Sequence, residues 1–250
     1  MDFFHWNFDP VLVRIPLGFD APLLGDNIQI RWYGLFFAIG LLLAVQRLGK
    51  SFVDRGLSEE HAASLSWIIP VSMILFAHLI HLVFYEPRSF IDNPRRIIEI
   101  GKGLASHGGA VGVIVAVYWF ARAHGRTFHE YMDAVMVASV WCFPWVRIGN
   151  FFNSEIVGRT TDVPWAVVFE QVDPANARHP QQIYEALAGF ALIGITELLD
   201  RKYRDRLRRG SLFYVSLGLY FSYRFALEFF KEKQGVDVEW SLNMGHLLSI

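Results

Sequence analysis

Two stretches of this 250-residue chain narrow what it can fold into: residues 61–85 and 103–121 contain no Lys, Arg, Asp or Glu. A helix in water keeps charge on its outer face, so uncharged runs of this length belong in a bilayer, where a span takes ~20 mostly apolar residues. Comparable apolar segments occupy 30–48, 132–146, 183–199 and 211–230, and another starts at Ser241. The pattern predicts an all-α polytopic membrane protein with about seven transmembrane helices, the last truncated at residue 250. Residues 1–250 read as a single integral membrane domain. Composition agrees, with 53% hydrophobic residues, 22 Phe and only 19% charged residues. A net charge of -1 offers no basic field for nucleic acid. The single cysteine, Cys142, excludes an intrachain disulfide and reads as a small buried hydrophobe. Residues 1–10 carry no basic leader, so insertion is expected from the internal segments.

Lys and Arg in the connections set the orientation. The connections after the first, third and fifth segments carry eleven, six of them clustered at Arg201, Lys202, Arg204, Arg206, Arg208 and Arg209. The opposite side carries nine, in much longer connections. The cluster puts the odd-numbered helix ends in the cytoplasm and the N-terminus outside. Arg31, Arg147 and Arg224 then fall at the outer ends of helices, as do His78, His81, His107, Glu185 and Glu228. Ionisable groups at membrane depth are costly and face a cavity or a partner. A polar chamber open to the outer leaflet is therefore expected. Two outer connections are longer than turns require. Residues 86–102 mix Ile with Arg and Asp, as an amphipathic element lying on the membrane would. Residues 156–180 contain a short strand candidate from Pro164 to Phe169 and read as a small extracytoplasmic head.

Each chemistry-bearing cluster admits a functional and a structural reading. Arg147 and Arg224 suit a phosphate, because guanidinium forks match phosphate oxygens; alternatively they pair with Glu155 and Glu228, the latter four residues after Arg224. Ser106-His107-Gly108-Gly109 could present a general base, or serve helix packing with a capped histidine. Asn150, Asn153 and Glu155 could orient a substrate or cap a helix, and Gly149 and Gly158 suit turns or packing. Glu185 follows Pro180 at a helix start and could hold an arginine or a ligand hydroxyl. Tyr33, in Arg31-Trp32-Tyr33-Gly34, is an interface anchor or a ligand donor. His78 and His81 share a helix face, but a metal would need further ligands, and no metal site is expected.

Taken in order, these pieces resemble the bacterial prolipoprotein diacylglyceryl transferases. The matching runs are Arg31 to Gly34, Phe84-Tyr85, Ser106 to Gly109, Arg147 to Glu155 with Gly158, Arg178 to Glu185, Arg224 with Glu228, and Met244 to Ser249. Singly most are weak; the ordered set, spanning nearly the whole chain, is highly specific. The resemblance implies an enzyme of the bacterial cytoplasmic (inner) membrane, multi-pass, with its active site toward the periplasmic side. It implies transfer of the diacylglyceryl group of phosphatidylglycerol to the lipobox cysteine thiol in a preprolipoprotein signal peptide, with release of glycerol phosphate. No cofactor or metal is implied, and the partners are those two substrates and membrane lipids. It further implies that His107 is a catalytic residue often proposed as base, and that Arg147 and Arg224 hold the lipid phosphate. Tyr33, Asn150, Glu155, Gly158, Glu185 and Glu228 fall at other functional or structurally important positions of the pattern. The chain departs from the pattern at Phe76-Ala77-His78-Leu79-Ile80-His81, where the family usually has a glycine- and arginine-containing run. Two alternatives stand beside this reading: a divergent member using another acceptor, and a non-enzymatic lipid-binding or transport protein. For a transporter, polar groups are expected at midplane or in both membrane halves, whereas here they gather on one side.

Overall fold

The computed structural model describes residues 3–21, 25–100 and 103–232. In order these form strands β1 (Phe4–Trp6), β2 (Val11–Ala21) and β3 (Gly25–Arg31), and helices α1 (Trp32–Val53), α2 (Glu59–Tyr85) and the short α3 (Ser89–Asp92). A 3-10 turn at Pro94–Ile97 follows, then α4 (Ser106–Ala123), α5 (Phe128–Ser139) and α6 (Phe143–Phe152). Strands β4 (Val167–Phe169) and β5 (Ala177–Arg178) precede α7 (Gln181–Tyr203) and α8 (Ser211–Glu228). Among the described residues, four helical stretches are long and apolar enough to cross a membrane: Trp32–Val53, Glu59–Tyr85, Phe128–Phe152 and Gln181–Tyr203. The apolar segments at 103–121 and 211–230 also form helices, α4 and α8, of 18 residues each. The segment expected from Ser241 lies outside the described residues.

Two expectations change. The 132–146 segment is broken between α5 and α6. Pro144 has no N–H to return to the carbonyl four residues back, and its ring crowds that turn, so α5 stops and α6 restarts with proline in its first turn. The protein is also not purely helical. β1 pairs in parallel with β4, and β4 antiparallel with β5, in a three-stranded sheet, while β2 and β3 form a separate hairpin.

The chain divides into two compact units: Met1–Gln46 with Val137–Leu207 and Ser211–Ile250, and Arg47–Met136 with Arg208–Gly210. The first unit is organised by aromatic rings. Trp6 of β1 lies 4.5 Å from Phe151 and 5.4 Å from Phe152 at the end of α6, and Phe152 also meets Phe8, Trp32 and Phe36 at 5.0–5.4 Å. Phe151 reaches Phe169 of β4 at 5.6 Å, edge to face. A three-residue strand is held by this cluster rather than by its own propensity. The sheet core is Val157, Val167 and Phe169, packed against Trp6 and Phe151.

The second unit centres on buried Phe52, Leu65, Leu82, Val117, Tyr131 and Val135. Here α2 and α4 approach until backbones touch. A Cβ at Gly108 would lie 2.6 Å from the Phe76 carbonyl oxygen, and one at Gly112 2.5 Å from that of Ser72. Only glycine fits these positions. The Ser72 hydroxyl spans the same seam by donating to the Gly112 carbonyl at 2.9 Å. The outward side of α2 is apolar, with Trp67 77% and Phe84 70% exposed, as a lipid-facing surface requires.

Candidate active site

Three helices of the first unit carry the charged residues. α6 supplies Arg147, α7 supplies Glu185 in its first turns, and α8 ends with Arg224 and Glu228 one turn apart. The structure brings all four into one cluster. Arg147 Nε lies 2.6 Å from a Glu185 carboxylate oxygen. Arg224 stands 4.0 Å from Glu228, and Lys231 Nζ 3.7 Å from the same carboxylate oxygen. Glu185 is near enough to Arg224 to act on it electrostatically, but the ion pair of Arg224 is with Glu228. Both glutamates are 4% exposed, whereas both arginine side chains keep 21%. Among the described residues, the terminal nitrogens of Arg147 make no hydrogen bond to protein. Gln181 fixes the arrangement by donating to Glu185 at 3.3 Å and to the Leu227 carbonyl at 2.9 Å, which ties the start of α7 to the end of α8. Tyr223, next to Arg224, feels Arg147, Glu185 and Arg224.

The pairing expected of Arg147 with Glu155 is replaced by Glu185. Glu155 is exposed and belongs to a different set of bonds. Its carboxylate accepts from the Asn150 amide at 3.3 Å and the Asn153 amide at 3.1 Å. Its N–H donates to the Asn150 carbonyl at 2.9 Å, and its carbonyl accepts from Gln182 at 2.6 Å. These bonds hold a turn whose backbone is in the left-handed region at Ser154 (φ 54°) and Ile156 (φ 57°). For a β-branched residue this conformation is strained, and such strain collects where a loop must present groups to a ligand. The side-chain oxygens of Asn150, Asn153 and Gln182 are buried acceptors without a donor among the described residues. Tyr33, the second residue of α1, feels both Glu155 and Arg147, and its Cα would lie 3.1 Å from a Cβ at Gly149 of α6.

Gly158 is a clamp. Its N–H donates to the His179 carbonyl at 3.1 Å, its own carbonyl accepts from Arg178 at 3.2 Å, and it bridges to Lys231. A Cβ there would stand 2.6 Å from the His179 oxygen and 2.8 Å from the Phe230 oxygen. Arg178 continues the clamp to Asp173 at 2.7 Å and Glu232 at 3.0 Å, and with Asn176 it lowers the Asp173 carboxyl from its ordinary value. Burial, then the charge of Arg159, lowers the pKa of His179, whose Nδ1 lies 3.1 Å from the Tyr184 hydroxyl.

His107 belongs to the second unit, in the first turn of α4, and is exposed. Its ring lies 6.1 Å from Tyr85, which stacks on His81 at 5.2 Å. His78 and His81 do not converge on a common ligand. His78 faces the carbonyls of Arg96 and Gly103, and His81 faces Glu86. Among the described residues no three side chains are grouped to hold a metal ion. Sequence reasoning missed the approach of Lys231 to Glu228 and the place of Tyr223. The spacing of Glu228 and Lys231, three apart at a helix end, carried the signal for the first.

A largely helical protein with membrane-length apolar helices and two arginines, each paired with a buried carboxylate, defines a class: a membrane-embedded protein with a charged cluster on three of its helices. The sequence profile of the prolipoprotein diacylglyceryl transferases matches residues 23–250. A phosphatidylglycerol–prolipoprotein diacylglyceryl transferase of Tolumonas auensis is 35% identical over 98% of this chain and 89% of its own length. Proteins of the same name from Bacteroides fragilis and Pseudomonas savastanoi are 36% and 38% identical, covering 98% and 97% of this chain and 90% and 88% of their own. The chain belongs to the prolipoprotein diacylglyceryl transferase family.

Proposed function

We propose that this protein is a transferase that moves the diacylglyceryl group of phosphatidylglycerol to the lipobox cysteine thiol of a preprolipoprotein. The carbon–oxygen bond between the diacylglyceryl group and the phosphate breaks, and the carbon–sulfur bond forms. Glycerol phosphate leaves with the electron pair, and the thiol proton passes to a base. The carrying observation is the cluster in which Arg147 pairs with the buried Glu185 and Arg224 with the buried Glu228. Arg147, Arg224 and Lys231 against Glu185 and Glu228 leave one positive charge. As the leaving phosphate gains its second charge, the same arginines bind it more strongly, which lowers the barrier rather than only the ground state.

In this reading Arg147 and Arg224 bind and neutralise the phosphate, Glu185 and Glu228 orient them, and His107 takes the thiol proton. A thiol has an ordinary pKa near 8.5, so a base or a positive field is needed to form the nucleophile. The unpartnered oxygens of Asn150 and Asn153 accept the headgroup glycerol hydroxyls, Glu155 and Tyr33 line the same end, and Gly158 keeps the turn closed. The same reading has the chain cross the bacterial inner membrane seven times, with its N-terminus and site on the periplasmic side. Residues 86–102, where Ile91 is 85% and Ile98 79% exposed, then lie on the membrane surface, and 156–180 form the outer head.

The test is transfer of labelled diacylglycerol from phosphatidylglycerol to a lipobox peptide by purified protein. Arg147→Ala and Arg224→Ala are each expected to reduce the rate by about 100- to 1000-fold, the scale of losing one transition-state donor. A wild-type rate in either variant overturns the assignment, and binding without glycerol phosphate release overturns the enzyme.

A further inference from the structure

In the second unit, the connection from α2 to α4 is fastened where α4 begins. The Ala105 N–H donates to the Ala77 carbonyl at 3.0 Å, and Gly108 packs on the Phe76 and Ala77 backbone. Between these lies His78, 4% exposed. Its Nε2 is 2.9 Å from the Arg96 carbonyl oxygen and its Nδ1 3.4 Å from that of Gly103. A carbonyl only accepts, so each nitrogen must donate to make its bond. Neutral imidazole has one donor, and the ring protonated on both nitrogens has two. His78 therefore joins the middle of the connection to its last residues, and both to α2.

We propose that His78 is a positioning residue for the transfer reaction: by its contacts with the carbonyls of Arg96 and Gly103 it fixes the entry to α4 and with it the place of His107. The inference rests on the reading of His107 as the thiol base. The charged and titratable groups nearest on the surrounding elements include His81, Tyr85 and Glu86 at the end of α2, Arg88, Asp92, Arg95, Arg96 and Glu99 on the connection, and His107 on α4. Glu86 is engaged by Arg96 at 2.7 Å and His81 at 3.2 Å, so the ion pair and the His78 bonds fasten the same connection separately. Among the described residues His107 has no comparable restraint of its own; its ring neighbour is Tyr85.

The experiment uses the full chain in micelles, with phosphatidylglycerol and a lipobox peptide. His78→Leu fills the space without donating. It is expected to lower kcat about 10- to 100-fold, the cost of a misplaced catalytic group, while KM for the lipid changes less than about twofold. Amide exchange at 103–107 should speed up. His78→Arg can donate to both carbonyls and should restore the rate and the protection; His78→Gln, a smaller donor, should fall between. In a His107→Ala background, His78→Leu should have no further effect on rate. If His78→Leu keeps wild-type kcat while His107→Ala is impaired, the His78 assignment fails alone. If the two effects multiply, or no donor variant recovers activity, it also fails. A wild-type kcat in His107→Ala instead overturns the reading of the base and the role of His78 with it.

Discussion

Arg147 is held by Glu185, with 2.6 Å between guanidinium Nε and carboxylate, although Glu155 lies nearer in sequence. The contact uses Nε, and the proposed phosphate would meet the two terminal nitrogens. Glu185 is buried on α7 and ties that helix to Arg147 of α6. Glu185→Ala should therefore cost about 3 kcal/mol of stability, the low end for removing one partner of a buried pair, since Arg147 retains some solvent. It should lower kcat about 10- to 100-fold through loss of Arg147 orientation. The lipid KM should not rise, because the site gains net positive charge. Denaturant titration in micelles and initial rates measure the two effects; a raised KM with unchanged kcat would count against the orienting role.

Arg147→Lys separates charge from geometry. Lysine keeps the positive charge but loses the planar fork and the Nε contact with Glu185. If the arginine acts only through its field, the variant keeps most of its rate. The fork argument predicts a loss of about 100-fold in kcat/KM, close to that of Arg147→Ala. Steady-state rates of the two variants side by side decide between these.

Gly158 tests whether a residue of the motif acts on substrate or on the fold. An added Cβ would press on two backbone oxygens, those of His179 and Phe230, which cannot swing away. Gly158→Ala should thus destabilise by about 1–3 kcal/mol, the range for overpacking, and activity should fall with the folded fraction. A stable but inactive variant would instead place Gly158 against the ligand.

Much of this was legible in the sequence, and the remainder fails for identifiable reasons. Uncharged apolar runs announced α2 and α4, because a helix in lipid has no use for charge. The break before α6 was legible in Pro144 but was hidden by apolar residues on both sides. β1 was not legible: three residues, Phe4–Trp6, become a strand only by pairing with β4, more than 150 residues away, and by burying Trp6 on Phe151. The arginine cluster was legible as a set, and so was the pair Arg224–Glu228, but not the partner of Arg147. Sequence distance favours Glu155 for Arg147, yet the bonds of Glu155 to Asn150 and Asn153 draw its carboxylate into another turn. The departure at His78 was visible as a substitution; its two carbonyl partners come from a connection without regular spacing, which no periodicity reports.

The Glu86 lock carries a pH dependence whose sign can be worked out. Arg96 reaches the Glu86 carboxylate through Nε at 3.0 Å and Nη2 at 2.7 Å, His81 Nε2 lies at 3.2 Å and the Ser89 hydroxyl at 3.1 Å. These partners, Arg96 first and His81 next, hold the carboxyl at a pKa of about 2, against 4.5 for the free group. A depressed carboxyl stabilises the folded form above its unfolded pKa, and the contribution disappears as pH falls through the folded value. Hydrogen-exchange protection factors at 86–100, which divide out the intrinsic pH dependence of exchange, should therefore be flat from about pH 7 to about pH 5. They should decline below about pH 4.5 and reach their floor near about pH 2. Glu86→Gln should sit at that floor throughout this range, because a neutral amide cannot hold Arg96 as an ion pair. Wild-type protection that is already lost at about pH 5 would show that Arg96 does not hold the carboxylate in the folded protein.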